Sequence, residues 1–343
     1  MPHSDKKWWG RRFACPGVQA QACATISRRA LLAAPASAAL WTGCTRSAPG
    51  TPSHVSITRA PAYDQTLYDT VRRILEEHKL NVRGRDILLK PNLVEYEPES
   101  SINTHPLVVH AVYEAFRAMG AARVRIAEGP GHRRDTLDLA EAAGYFRTVP
   151  QFEDVFTDLN LDEVTRVYPS RQFSRLKKFY LPNTALRADL LVSLPKMKTH
   201  HWVGATLSMK NLFGVLPSGV YGWPKNVLHW AGIEESIADL HAAFPRRFAL
   251  VDGIVGMQGN GPIQGRPKYA GVLVAGDHLP AVDATCCRIM RIDPMKLGHL
   301  SMTAGSQEAL LETNIRQIGA SIAATATPFD LIPEFRAARL ETA

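Results

Sequence analysis

From about residue 54 onward, short apolar runs alternate with longer amphipathic stretches, and this alternation constrains the fold more than any other feature of the chain. It is typical of βα units, which assemble into a mostly parallel sheet flanked by helices. The predicted buried strands are 87–89, 124–127, 190–194, 248–251 and 271–275. We therefore predict an α/β fold. The 343 residues allow one large domain or two lobes with a cleft at the carboxyl ends of the strands.

Apolar spacing predicts the helices that connect these strands. In 106–119 the apolar residues recur every three or four positions, as they do along one face of a helix, and Gly120 is well placed to cap it. The same spacing predicts further helices over 66–80, 280–290 and 308–318.

Polar or charged residues follow each predicted strand. They are Lys90-Pro91-Asn92, Glu128-Gly129-Pro130-Gly131, the group Lys196, Lys198 and His200, Asp252-Gly253, and Gly276-Asp277. In an open parallel α/β sheet, ligands bind beyond the carboxyl ends of the strands. Loops are often polar without being functional, but these residue types transfer protons, stabilise charge and bind ligands. We predict one shared site, with Lys90, Asn92 and Asp252 among its catalytic residues.

Residues 195–214 carry an unusual concentration of positive charge. The sequence PKMKTHHWVGATLSMKNLFG holds Lys196, Lys198, Lys210 and two adjacent histidines, and it contains no carboxylate. In an extended segment, Lys196, Lys198 and His200 point to the same side. This predicts that the lysines bind an anion, with Lys196, Lys198 or His200 in catalysis and Lys210 and Asn211 in ligand binding. A solvated basic edge strand is the alternative.

The histidines allow two interpretations. His200 or His201 could join His229 or His105 at a metal, and we take His200 and His229 as the candidate metal ligands. No H-x-E-x-H or similar spacing supports that site. A histidine that acts as general acid or base is the alternative, and the cofactor is otherwise left unassigned.

Two further features suggest ligand binding. Residues 253–265 read GIVGMQGNGPIQG, and glycine-rich loops such as this one often cradle anions through backbone N–H groups. Gly259 and Gly261 are therefore candidate ligand-binding residues, although a tight surface turn would need the same glycines. Asp283 lies in the apolar segment Ala281-Val282-Asp283-Ala284. It is a third candidate, unless it serves only the dipole of the helix.

The N-terminus has the features of an export signal. Residues 1–43 carry a net charge of +5 out of the total of +8, so the rest of the chain is only mildly basic. Arg28 and Arg29 precede a short apolar run, as in twin-arginine signals. We predict a signal over 1–44, a tether over 45–53 and the α/β domain over 54–335. The predicted partners are the twin-arginine export machinery and, if Cys44 is lipidated, a membrane. Ordinary cleavage after the apolar run, without lipidation, is the alternative.

The location of the mature protein would then be the periplasm or the outer side of a membrane. Outside the signal, the chain has no arginine-rich run and no basic stripe interleaved with aromatic residues. This pattern argues against nucleic acid as a partner. Cys286 and Cys287 are adjacent, and no C-x-x-C spacing occurs. The chain by itself is therefore not expected to ligate an iron–sulfur cluster.

Several of these motifs occur together and in order. They are Leu89-Lys90-Pro91-Asn92, PKMKTH, MKNLFG, Val251-Asp252-Gly253, GMQGNGP and Ala281-Val282-Asp283-Ala284. From about residue 54 to 325 the chain resembles the family known as domain of unknown function 362. The resemblance implies an α/β domain without an established general activity. Some members look like iron–sulfur proteins with a fused ferredoxin module. This chain departs from them because it has no cluster-binding cysteines, which argues against an iron–sulfur role. A more distant analogy is with the nickel-pincer lactate racemase group, which also uses Lys and His in an α/β cleft.

The sequence favours an exported enzyme that binds a small anionic substrate or cofactor in a cleft lined by Lys, His and Asp. Two alternatives stay open. One is a non-catalytic, lipid-anchored receptor for an anion. The other is an accessory factor for a metal or iron–sulfur enzyme.

Overall fold

Apolar residues on both faces place the central strands in the interior. In the strand Asp86–Pro91, Leu88 belongs to the core on one face, while Ile87 and Leu89 belong to the core on the other. A strand that is apolar on both faces must be covered by helices on each side. The computed structural model describes residues 52–132, 134–303 and 307–341, and it has the predicted α/β architecture.

The described residues form the following strands and helices. The strands are β1 (Ser53–Arg59), β2 (Asp86–Pro91), β3 (Arg123–Glu128), β4 (Phe156–Asp158), β5 (Val164–Val167), β6 (Phe179–Pro182), β7 (Leu190–Leu194), β8 (Lys196–His200), β9 (Gly204–Thr206), β10 (Arg247–Asn260), β11 (Gln264–Gly276) and β12 (Ile315–Gly319). The helices are α1 (Leu67–Glu77), α2 (Pro106–Ala118), α3 (Thr136–Ala142), α4 (Tyr145–Thr148), α5 (Phe152–Val155), α6 (Asn183–Arg187), α7 (Ser208–Asn211), α8 (Ser218–Tyr221), α9 (Asn226–Trp230), α10 (Ile233–Ala243), α11 (Leu279–Ile289), α12 (Gly298–Thr303) and α13 (Ile322–Thr325). Short 3₁₀ helices cover Leu212–Val215, Pro294–Lys296, Gln307–Leu310, Glu312–Asn314 and Pro333–Ala338.

The main sheet has the order β12-β1-β11-β10-β7-β2-β3-β4, and β8 pairs with β10 and β9. The strands β10, β7, β2, β3 and β4 are parallel to one another. Their carboxyl ends therefore point toward one edge of the sheet, which we call the carboxyl edge. Helices α1 and α2 supply the core on one face, and α10 and α11 supply the core on the other.

One of the five predicted strand ends lies elsewhere. Strand β11 is antiparallel to both of its neighbours, β10 and β1. Gly276 pairs with Ala249, near the start of β10, so Gly276-Asp277 lies at the edge opposite to the other strand ends. The prediction that this pair joins the shared site is wrong. An apolar run carries no information about strand direction, which is why the sequence did not reveal it.

The region 308–318 is not the predicted helix. It forms two short 3₁₀ turns and then β12, which pairs in parallel with β1. Ile315 is buried in that pairing. The backbone hydrogen bonds of a sheet edge outweigh a weak helical spacing over so short a segment. The other predicted helices are present, and Gly120, at φ +87°, follows the end of α2 as expected.

Both chemically unusual segments form strands. The lysine-rich segment continues from β7 into β8, which lies buried between β10 and β9. This burial rules out the solvated edge strand. Most of 253–265 belongs to the long hairpin of β10 and β11, and only its tip forms a turn.

Arg46–Ala343 form one compact unit, and a division into two lobes is not seen in its described part. Within the ranges that the structure covers, no helix is long and apolar enough to cross a bilayer. Cys286 and Cys287 are free and buried. The predicted signal, the lipidation site at Cys44 and nearly all of the tether lie outside the described residues.

Candidate functional site

A cavity of about 910 Å³ lies at the carboxyl edge of the sheet. Its wall is formed by the residues that follow β2 and β3, by β8 and α7, and by the tip of the β10–β11 hairpin. The loop that carries Pro224 and Lys225 completes it. This is where an open α/β sheet usually binds its ligand. We call it the lysine cavity, because Lys198, Lys210 and Lys225 all line it.

Lys198 comes from β8 and is fully buried. Its ammonium donates to the carbonyl oxygens of Ile102 at 2.8 Å and Pro262 at 3.3 Å. It forms no ion pair with a described carboxylate. Burial, followed by the charges of Lys210 and Lys196, lowers the pKa of Lys198 well below its usual value.

Lys210 comes from α7. Its Nζ lies 4.0 Å from the centroid of the Phe213 ring, and it makes no hydrogen bond or ion pair with any described side chain or carbonyl. Burial and the nearby charge of Lys90 lower the pKa of Lys210 to about 7, although Glu128 opposes this shift. An amine with that pKa is partly neutral at physiological pH.

The sequence did not single out Lys225, which has the strongest geometric constraint of the three. Its backbone adopts φ +69°, a region that non-glycine residues rarely occupy. Its ammonium donates to the carbonyl oxygens of Gly129 at 2.6 Å and Phe213 at 2.7 Å. Burial lowers its pKa to about 7. No pattern in the sequence distinguishes this lysine, because its partners are backbone carbonyls 96 and 12 residues away.

Lys90 and Glu128 form a buried ion pair between neighbouring strands at the base of this region. Lys90 also donates to Asn211 Oδ1, and Asn211 Nδ2 donates to the Lys90 carbonyl and to Ser193. Asn211 therefore joins α7 to β2 and β7 and does so as a structural link, although it also lines the cavity. A Cβ at Gly214 would overlap Glu128 and Lys90, so only glycine fits there.

Lys196 and Asp252 form a second buried pair, with Nζ and Oδ2 2.6 Å apart. Tyr63 donates to Asp252 Oδ1 at 2.8 Å and stacks on His105 at a ring distance of 3.8 Å. The backbone N–H of His105 donates to Asp252 Oδ2. Burial raises the pKa of Tyr63 far above its usual value, and burial lowers that of His105 to about 4.

This second group borders a different cavity of about 520 Å³, lined by Tyr63, His105 and Lys196. The expectation that Lys196, Lys198 and His200 share one site is therefore only partly met. Lys198 and His200 line the lysine cavity, whereas Lys196 is turned to Asp252 and the second cavity. Asp252 lies within β10 rather than at the end of a strand, and it does not line the lysine cavity.

Three buried polar atoms along the lysine cavity have no hydrogen-bond partner in the described part of the chain. They are Asn92 Oδ1, Thr206 Oγ1 and His229 Nδ1. An unsatisfied buried polar group costs about 1–3 kcal/mol, so such groups usually have a ligand or water as partner. Asn92 thus lies where the sequence predicted.

Lys90, predicted to be catalytic, does not line the lysine cavity, because it is fully buried in its pair with Glu128. Gly259, Gly261 and Asp283 also lie outside it. The Gly259 N–H donates to the Asp330 carbonyl and the Gly261 N–H to the Gly259 carbonyl, so neither is available to cradle an anion. Asp283 is buried in α11 and accepts hydrogen bonds from Ser208 N, Ser208 Oγ and Met209 N. Asp283 therefore fixes the start of the helix that carries Lys210. Burial raises its pKa to about 6.

His200 and His229 both line the lysine cavity. His200 Nδ1 accepts the N–H of Trp202 at 3.0 Å, so the proton of the neutral ring lies on Nε2. Burial lowers the pKa of His200 well below its usual value and that of His229 to about 4. Across the described ranges, no three or more His, Cys, Asp or Glu side chains are grouped so that they could hold a metal ion. The predicted pair has no third protein ligand there.

Comparisons with known proteins give the following similarities. A thylakoid-associated protein (sll1697) of Synechocystis sp. is 27% identical over 270 residues, which are 75% of this chain and 79% of that protein. The lactate racemase apoprotein of Thermoanaerobacterium thermosaccharolyticum is 14% identical, with a TM-score of 0.43. The match covers 70% of this chain and 58% of that one.

A protein of Thermotoga maritima of known structure is 12% identical, with a TM-score of 0.36 and coverage of 67% of this chain and 59% of that one. The family model described as domain of unknown function (DUF362) matches residues 87–288. That range runs from β2 to the end of α11 and includes Lys198, Lys210 and Lys225. The chain belongs to the family described as domain of unknown function (DUF362).

Proposed function

We propose that this chain binds a small organic anion in the lysine cavity and that the cavity carries groups suited to proton transfer. The observation that supports this most is the lack of charge balance. Lys198, Lys210 and Lys225 line the cavity, whereas the lining carboxylates are Glu128, already paired with Lys90, and the exposed Glu334. Mutual repulsion and burial make the empty arrangement unfavourable, and an anion would relieve both.

The lysines have different roles in this proposal. Lys198 and Lys225 are held in place by backbone carbonyls, so the positions of their amines are fixed before the ligand arrives. Lys210 has no such acceptor and would donate to the ligand directly. Asn92 and Thr206 would supply neutral polar contacts. Because these donors are already held in place, binding a carboxylate or phosphate does not add the entropy cost of ordering their side chains.

Calorimetric titration of the purified protein with lactate and with inorganic phosphate tests this proposal. We expect saturable binding of at least one of these anions, and in K210M a loss of about 10–100-fold in affinity, as for a hydrogen bond to a charged group. The matched control is K177M, which removes an exposed lysine outside the cavity and should bind like the parent protein. The proposal fails if neither anion binds, or if both variants lose affinity equally.

We further propose that the chain is exported through the twin-arginine route and held at a membrane through Cys44. The support is the Arg28-Arg29 pair before an apolar run, followed by a lipidation-like sequence at Cys44. In cell fractionation, R28K/R29K should remain in the cytoplasm. C44A should be exported but released from the membrane fraction. Export of the double-lysine variant at the normal level would contradict the route.

A further inference from the structure

Five buried or largely buried lysines lie along the carboxyl edge, and four of them have hydrogen-bond acceptors. The pairings are Lys90 with Glu128 and Asn211, Lys196 with Asp252 and Tyr63, Lys198 with two carbonyl oxygens, and Lys225 with two carbonyl oxygens. An acceptor stabilises the protonated amine and holds it in place. Lys210 alone of the five has none in the described part of the chain.

The surroundings of Lys210 favour the neutral amine. Burial and the neighbouring charge of Lys90 lower the pKa of Lys210 to about 7, against the opposing influence of Glu128. The face of the Phe213 ring, 4.0 Å from Nζ, also favours the charged form. A desolvated lysine beside another cation is the usual form of an amine nucleophile. Asp283 fixes the start of α7, and this holds the backbone that carries the Lys210 amine in place.

We propose that Lys210 forms a Schiff base with a small organic anion that also carries an aldehyde or ketone group, as in an oxo acid. This inference rests on the proposed function, because Lys198 and Lys225 would bind the anionic end. The cavity then has separate groups for the two ends of such a molecule. Two lysines held by backbone carbonyls can bind its anionic end, and one amine without a hydrogen-bond acceptor in the described part of the chain can react with its carbonyl.

The reaction balances without a further reactant. The lone pair of Lys210 Nζ attacks the carbonyl carbon, and the electron pair of the C=O bond moves to the oxygen, which takes up a proton. The nitrogen then loses a proton, the C–O bond breaks and the oxygen leaves as water after a second protonation. The C=N bond replaces the C=O bond, and nothing is oxidised or reduced.

His200 is suited to assist this step. It lines the same cavity, and because its Nδ1 accepts the Trp202 N–H, the neutral ring carries its proton on Nε2. That N–H can donate to the carbonyl oxygen as negative charge develops there. His229, also neutral at pH 7, has an unpartnered Nδ1 that can accept a proton.

Borohydride trapping of the whole chain tests the proposal. The protein is incubated with pyruvate and sodium cyanoborohydride, and the modified lysine is located by peptide mass spectrometry. We expect the reduced adduct on Lys210 and not on Lys225. Lys225 is the internal control, because it lines the same cavity with its pKa also lowered to about 7, but its ammonium is bonded to two carbonyls.

Two further measurements test the assignment without a variant, and the variant K210R provides a third check. Lactate, which has no carbonyl group to react, should slow trapping at Lys210 if it occupies the cavity. Lactate binding without a pyruvate adduct on Lys210 overturns this inference and leaves the proposed function standing. An adduct that forms as readily on exposed Lys177 as on Lys210 also overturns it. K210R should give no adduct in the cavity.

Discussion

Two groups of lysines at the same sheet edge differ in what surrounds them. Lys90 and Lys196 each face a buried carboxylate, whereas Lys198, Lys210 and Lys225 face a cavity and form no ion pair with a described residue. Burial lowers the pKa of all five. Only in the first group does an adjacent carboxylate hold the proton on the amine. Burial alone therefore does not reveal the role of a lysine. The hydrogen-bond acceptor nearest to its amine does.

The paired group holds the sheet together at its functional edge. Lys90 and Glu128 connect β2 to β3, and Lys196 and Asp252 connect β8 to β10. Removing one member leaves the other charge buried without compensation, which is more harmful than removing both. Lys198, Lys210 and Lys225 already lack a balancing carboxylate among the described residues, and a bound anion would supply the missing negative charge.

The largest expected effect is therefore on the paired group. E128Q and D252N should each lower the free energy of unfolding by about 3–5 kcal/mol, because each leaves a buried ammonium without its carboxylate. Urea denaturation followed by circular dichroism measures this change. The double variant K90M/E128Q should lose less than E128Q alone. If the single variants unfold at the same urea concentration as the parent protein, these pairs are not the scaffold that we describe.

A smaller loss of stability is expected at the support of Lys210. In D283N one amide N–H₂ replaces a carboxylate oxygen that accepts from Ser208 or Met209, so a donor faces a donor. We expect a loss of about 1.5–3 kcal/mol, since hydrogen bonds to a charged group are broken. Anion affinity should fall with it, because α7 carries Lys210. Unchanged affinity in a folded D283N would show that α7 does not depend on this carboxylate.

The pH dependence of anion binding should distinguish the two groups further. The pKa of free Lys210 is about 7, and a bound anion raises it, so the complex takes up a proton and affinity falls as pH rises above 7. We expect about a tenfold loss between pH 6 and 8 for each lysine that behaves in this way. The other ionisable groups that line the cavity or neighbour Lys210 are Lys90, Glu128, His132, Lys198, His200, His201, Lys225, His229 and Glu334.

Calorimetry in buffers of different ionisation enthalpy checks the proton uptake directly. His229, whose pKa is about 4, stays neutral over this range and does not contribute. Affinity that rises with pH would be the wrong sign for an ammonium site, and it would contradict the assignment.

The smallest expected effect is on the stability of K210M without ligand. The substitution preserves volume and removes a desolvated charge, so the free energy of unfolding should change by less than about 1.5 kcal/mol. Thermal unfolding of K210M beside E128Q then makes the sharpest comparison between the groups. A loss in K210M as large as that in E128Q would mean that Lys210 is structural after all.

Several elements of the fold could be predicted from the sequence for clear physical reasons. The strand at 87–89 and the helix over 106–119 have patterns of apolar residues that match their periods, and both are present. The helix predicted over 308–318 is wrong, because the apolar spacing there is weak and the segment pairs with β1 as a strand instead. The sequence predicts Asp283 as a ligand-binding residue, but its carboxylate accepts hydrogen bonds from Ser208 and Met209, which no local pattern reveals.

The sequence by itself determined the α/β class, and it predicted that lysines and histidines cluster at the ends of strands. Only the tertiary structure decided which lysine received a partner. The sheet order places β10, β7, β2 and β3 side by side, although they are far apart in sequence. Lys90 therefore meets Glu128, and Lys225 meets the Gly129 carbonyl. Whether a buried charge is compensated depends on atoms within a few ångströms of it. The order of residues along the chain does not reveal which atoms these are.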